Sequence, residues 1–201
     1  MKRLLLTLGA VIWSMGIYAQ DGTPVTAGQR AAVMKRITEA TTRISTMKCK
    51  FTQTKTSAML TQPVVAVGNM EYTAPGTLRW EYTSPYSYAL LINGDSITTL
   101  TNGAQTKTSA AWRSGMRNMA KMVVGSLNGK NLFDERMFTI TLFDQDKHYY
   151  AVMVPKRKDM RRMFSSITFY FAKDDQMVDR VVLEEGPGES TTIQFTHTFT
   201  H

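Results

Sequence analysis

A single cysteine in 201 residues rules out an intrachain disulfide framework. Histidine is almost as scarce: His148 beside an acidic turn, His197 among the apolar residues Ile193, Phe195 and Phe199, and His201 at the end. None has metal-ligand spacing to another histidine, a cysteine or a carboxylate, so no metal site and no cofactor is expected. No Gly-x-Ser-x-Gly elbow and no glycine-rich phosphate loop is present. The acids are scattered through turns, as in Asp174-Asp175 and Glu184-Glu185, where solvation explains them. A catalytic reading therefore lacks its chemistry, and no enzyme is expected. With six prolines and 13 glycines, collagen-like and low-complexity structure are excluded as well.

Acid is short relative to base, 16 residues against 24, which gives a net charge of +8. Such a balance would suit nucleic acid if it were spread over the surface and met its partner in the same compartment. Neither condition holds. Met1-Lys2-Arg3 followed by an apolar run over residues 4 to 13 and by Gly16-Ile17-Tyr18-Ala19 reads as a secretory signal peptide, residues 1 to 19, cleaved after Ala19. The run is shorter than the ~20 apolar residues a membrane span needs. Loss of Lys2 and Arg3 takes the 24 bases to 22 against 16 acids, a mature charge of +6. Four of those six units come from residues 156 to 162, KRKDMRR, which hold five bases and one acid. This segment is either a solvated loop or hairpin edge, or a surface for anionic membrane or an acidic partner through Lys156, Arg157, Lys158, Arg161 and Arg162.

The remaining 182 residues, 20 to 201, read as one domain: 43% of the whole chain is apolar and 10% aromatic, ample for a large core. Val33, Ile37, Ala40, Ile44 and Met47 recur at steps of three and four, which predicts a helix between Thr26 and Met47, begun by a capping box of Thr26 and Gln29. From Lys48 the period changes to two. Phe51 falls on a dry face, as do Met70 and Tyr72, then Leu78, Trp80 and Tyr82, which alternate with Thr77, Arg79 and Glu81. Cys49 sits beside this face as a small buried residue rather than a reactive thiol. Ala74-Pro75-Gly76, Ser84-Pro85 and Asn93-Gly94 are turn signals, and the connections are short enough to make antiparallel neighbours. Leu90 and Ile92 extend the dry face into the next strand. After a break, segments 137 to 143, 148 to 154, 166 to 171, 177 to 183 and 191 to 199 continue the meander.

About ten such strands form a sheet too wide to stay flat, so it should curl towards a barrel. The break, residues 115 to 128, carries Met116, Met119 and Met122 at helical spacing. It is either an ordinary core helix or an adaptable methionine-edged cover. Two helices and one curved sheet bury their apolar faces most economically with the helices across the concave side.

Several of these residues resemble the LolA family of periplasmic lipoprotein carriers. The matching elements are Phe51-x-Gln53, Gly68-x-Met70, the segment from Pro75 to Trp80, Ser84-Pro85 and Asn93-Gly94. Val154-Pro155-Lys156, the strand over 166 to 171 and Thr192-x-x-Phe195 follow. The resemblance implies a mainly β fold, an incomplete, half-open antiparallel barrel with helices as a lid over an apolar cavity. Acyl chains of lipoproteins would lie in that cavity during transfer across the periplasm of a Gram-negative bacterium. The lining would be Phe51, Met70, Tyr72, Leu78, Trp80, Tyr82, Leu90 and Ile92, and the lid would be edged by Met116, Met119 and Met122. An inner-membrane release complex and an outer-membrane acceptor would be the partners, and a carrier of another acylated lipid or glycolipid has the same fold requirements. A monomer is expected. Family members of the best-known type have an arginine before the proline of the turn, holding the lid shut. Here that residue is Ala74, so a looser lid follows.

Overall fold

The computed structural model describes residues 22–94, 96–106 and 132–198. In chain order the elements are β1 (Thr23–Pro24), α1 (Ala27–Thr42), β2 (Thr46–Thr56), β3 (Val64–Thr73), β4 (Thr77–Ser84), β5 (Tyr88–Asn93), β6 (Ser96–Thr101) and β7 (Ala104–Gln105). They continue as β8 (Phe138–Asp144), β9 (His148–Pro155), α2 (Lys158–Arg161), β10 (Ser166–Ala172), β11 (Val178–Gly186) and β12 (Glu189–Thr198). The signal peptide expected over residues 1 to 19 and the helix expected over residues 115 to 128, with Met116, Met119 and Met122, lie outside the described residues.

All twelve strands join one antiparallel sheet in the order β1-β8-β9-β10-β11-β12-β2-β3-β4-β5-β6-β7. The short turns predicted from sequence make most of these pairs. One pairing is not local: β12, the last strand, lies against β2, the first long one, from Ser190 opposite Thr56 to Thr198 opposite Lys48. It splices the two meanders into one sheet. The sheet does not close. Its edges are β1 and β7, each of two residues, and strands this short offer little unpaired backbone to other chains. Twelve strands rather than about ten are present among the described residues, because β1 and β7 are too short to show a period.

Helix α1 begins where predicted, but its capping differs. Thr26 is the N-cap residue without a side-chain cap; its hydroxyl donates instead to Gln29 Oε1 at 2.8 Å. The helix ends at Thr42, and Met47 belongs to β2. Val33 and Ile37, one turn apart, are buried against Phe138, Ile140 and Phe169 of the β8–β11 region. Arg30 fixes this docking by donating to the Ile140 carbonyl at 3.0 Å and pairing with Glu135 at 2.6 Å. Fully burying side chains such as Ile37 contributes about 1.5–3 kcal/mol each. The core thus divides into this helix-covered cluster and a second one on β2–β5.

Candidate functional site

The second cluster is built by register. Because side chains alternate along a strand, pairing places residues of equal parity in rows across the sheet. Met47, Tyr72, Leu78, Ile92 and Ile97 face one another in one row. Cys49, Met70, Trp80 and Leu90 form the next, and Phe51, Gly68, Tyr82 and Tyr88 the third. The expected lining residues Phe51, Met70, Tyr72, Leu78, Trp80, Leu90 and Ile92 are all buried in one cluster, and Tyr82 is half-buried against it. None of the residues in these three rows is charged.

The aromatic residues form a string. Phe51 lies 4.4 Å from Trp80 between ring centroids and meets Tyr82 edge-on at 5.2 Å. Trp80 meets Phe195 edge-on at 5.9 Å, and Tyr82 continues to Tyr86 at 5.4 Å. Such pairs add about 0.5–1.5 kcal/mol beyond their area. Gly68 makes the Phe51 placement possible: a Cβ there would stand 2.6 Å from Phe51 Cζ and 2.0 Å from the Glu81 carbonyl oxygen. Phe195, Met47, Cys49, Tyr88, Ile97 and Met177 also belong to or pack on the cluster. Phe195 arrives through the β12–β2 pairing, opposite Phe51, and Met177 from the turn between β10 and β11. The sequence carries no signal for either juxtaposition.

Polar groups on this face are few and shielded. Burial pushes the Cys49 thiol up to about 12 and the Tyr82 phenol up to about 12. Tyr82 donates to Gln53 Oε1 at 2.8 Å, while the buried Tyr72 hydroxyl has no hydrogen-bond partner among the described residues. Arg79 turns away, as its parity requires, and pairs on the other face with Glu81 at 2.8 Å. Ala74, where the latch arginine would stand, is exposed; its backbone N–H donates to the Ser45 carbonyl at 2.8 Å, tying the β3–β4 turn to the link between α1 and β2.

Elsewhere, chemistry-bearing groups do structural work. His148 Nε2 stands 2.7 Å from Asp179 Oδ2, and Asp174 Oδ1 accepts from the Asp175 N–H within its turn. Ser45 and Lys48 have the spacing of a serine–lysine dyad, but Lys48 pairs with Glu71 on the outer face at 3.1 Å. Among the described residues no three histidine, cysteine or carboxylate groups come together to hold a metal. The side chain of His197 lies outside the described ones. The basic segment is not an open loop. It forms the single helical turn α2, pinned by buried Met160, with Lys156, Arg157, Lys158, Arg161 and Arg162 all exposed around it. Arg157 pairs with Asp159 at 2.7 Å, and Lys156 donates to the Glu135 carbonyl.

A wall of this kind, apolar, aromatic and carried on an open sheet, suits an apolar ligand. The sequence profile described as "Outer membrane lipoprotein carrier protein LolA" matches residues 42–200. The chain belongs to the LolA family. An outer-membrane lipoprotein carrier protein of Methylobacillus flagellatus is 26% identical over 153 residues, 75% of this chain and 70% of that protein. Among solved structures, the MucA/MucB complex of Pseudomonas aeruginosa aligns over 85% of this chain and 58% of that chain at 9% identity, with a TM-score of 0.50. A LolA superfamily protein of Nitrosomonas europaea covers 85% of this chain and 93% of its own at 7% identity and a TM-score of 0.48. Identities this low speak to the fold alone. No helix among the described residues is long and apolar enough to cross a membrane.

Proposed function

We propose that this LolA-family chain is a periplasmic carrier that takes up the acyl chains of lipoproteins and moves them from the inner to the outer membrane. The observation that carries the reading is the uncharged wall in three cross-strand rows, from Met47 to Tyr88, on a sheet that stays open. Each methylene withdrawn from water contributes about 0.8 kcal/mol, so long acyl chains bring ample gross driving force. A rigid, perfectly fitted pocket would hold such a ligand too tightly to release it. Polarizable Met70 and rings that meet edge-on form a face able to repack around different chains. The methionine-edged segment with Met116, Met119 and Met122 is assigned as the cover, and the partners are a release complex at one membrane and an acceptor at the other.

Purification from the periplasm followed by solvent extraction and mass spectrometry tests the reading, together with incubation against membranes bearing a triacylated lipoprotein. A soluble complex with that lipoprotein is expected. Recovery of a glycolipid with no lipoprotein uptake would assign the same wall to lipid transfer. A protein that emerges free of lipid and takes up neither would sink both.

A further inference from the structure

Seven large apolar side chains stand exposed among the described residues, and all lie towards one rim of the sheet. Met59, Leu60, Val64, Val65 and Val67 belong to the β2–β3 hairpin, with Met59 87% exposed at its tip. Tyr86, 47% exposed, occupies the β4–β5 turn, and Val154 the end of β9. Antiparallel alternation puts the connections 57 to 63, 85 to 87, 102 to 103, 156 to 165 and 187 to 188 on this one rim. The opposite rim, formed by residues 43 to 45, 74 to 76, 145 to 147 and 173 to 177, has no exposed large apolar side chain among those described. Scattered exposed leucines and valines need no explanation, but segregation to one end does.

The hairpin tip is held in place. Leu60 N–H donates to the Ser57 carbonyl at 3.0 Å, closing a turn, and the buried Ser57 hydroxyl donates to Glu189 at 3.3 Å. Gly188, at φ +72, brings the neighbouring turn against Ala58. Met59 is therefore presented outward from a built turn. The tip carries no charge from Ser57 to Pro63.

The same rim carries the basic segment. Residues 156 to 162 follow β9, four strand positions from the hairpin in the sheet order, roughly 19 Å along the sheet at about 4.8 Å per strand. Met160 pins that segment to the core and leaves five cations exposed with one acid, net +4. Two of the three acids between the two features are engaged, Glu185 by Lys55 at 2.7 Å and by Thr191, and Glu189 by Ser57; the third is Glu184. An apolar tip, an aromatic turn with Tyr86 and a compact cationic cluster on one rim match the layering of a bilayer surface, where acyl carbons lie beneath anionic phosphates.

We propose that this rim docks on a bilayer containing anionic lipid, with the 57 to 63 tip set into the headgroup layer and the 156 to 162 segment over the phosphates. Charge complementarity singles out lipid, because each base near an anionic surface strengthens binding about fivefold while an apolar tip alone would not distinguish lipid from protein. The docking does not depend on the identity of the cargo, and it needs none.

The test is co-sedimentation of the protein recovered from the periplasmic fraction with sucrose-loaded vesicles of phosphatidylethanolamine and phosphatidylglycerol. Binding that weakens as salt is raised is expected, with much less on pure phosphatidylcholine. M59S/L60S should weaken binding about tenfold and K158E/R161E at least about 25-fold, all at exposed positions, while circular dichroism stays unchanged. Gln145→Ser on the opposite rim should bind as the parent does. Met59→Cys labelled with an environment-sensitive dye should shift to the blue on the vesicles. A protein that stays in the supernatant at low salt, or variants that bind as the parent does, would overturn the proposal. So would binding confined to native membranes and abolished by protease treatment of them, which would assign the rim to a protein receptor.

Discussion

The ring of Phe51 lies over the backbone of Gly68 on the neighbouring strand, so close that a single added carbon would stand 2.6 Å from its Cζ. Phe51 and Gly68 are also register partners between β2 and β3. The glycine thus belongs to the aromatic string, and the motif Gly68-x-Met70 has a steric reason: one position admits the ring, and the next of equal parity fills the wall.

Gly68→Ala should therefore destabilise the protein by about 1–3 kcal/mol, the usual cost of overpacking, since the Glu81 backbone cannot swing aside as a side chain could. Urea denaturation measures it. A loss below experimental error would mean that β3 and β4 separate freely at this point, where their register already shifts between Val67 and Gly68.

Trp80→Ala distinguishes a packed core from a ligand wall. Trp80 is 8% exposed and packed between Phe51 and Phe195. In a tight core the truncation costs about 3–5 kcal/mol. On a face that must also accept acyl chains, a smaller loss of stability and a marked loss of affinity for a fluorescent fatty acid are expected. Titration of the probe alongside thermal unfolding reads both. Unchanged probe affinity would count against the wall.

Alkaline pH should weaken the fold through Cys49 and Tyr82. Burial raises the thiol from 9.0 to about 12 and the phenol from 10.0 to about 12. Both groups are neutral when protonated, so the native state favours the proton. Their contribution is complete below the unfolded values and is lost as pH rises through the folded ones, a window from about 9 to about 12. Denaturant midpoints should fall across it, and Cys49→Ala should flatten the lower part. In the native protein the thiol should resist alkylation until denaturant is added.

Ala74→Arg restores the side chain that the best-known family members place before this proline. Ala74 is exposed and its N–H is already used by Ser45, so the substitution is sterically free. The parent, empty of lipid, should take up an apolar fluorescent probe readily, and the arginine variant more slowly. Stopped-flow fluorescence compares them. A parent that excludes the probe altogether would refute the looser lid.

Much of this arrangement follows from local rules that the sequence carries on its face. Period-two alternation fixed which residues of β3 and β4 share a side, because a pleated strand leaves no other choice, and Ala74-Pro75-Gly76 and Asn93-Gly94 set the antiparallel neighbours. That Phe51, Met70, Tyr72, Leu78, Trp80, Leu90 and Ile92 share one buried face was legible for that reason. The capping of α1 was less so: Thr26 had the right spacing to Gln29, but the two side chains bond each other rather than the backbone.

What the sequence determined alone, then, is composition, parity and turn chemistry: a mainly β chain with one dry face and one basic segment. What only the tertiary structure decided depends on contacts between residues far apart in the chain. Phe195 joins Trp80 and Phe51 because β12 pairs with β2, a choice among strands of similar pattern that no local signal makes. The gathering of Met59, Tyr86 and the 156 to 162 segment on one rim has the same origin. Alternation of antiparallel strands sends every second connection to the same end, and the sheet order decides which of them become neighbours.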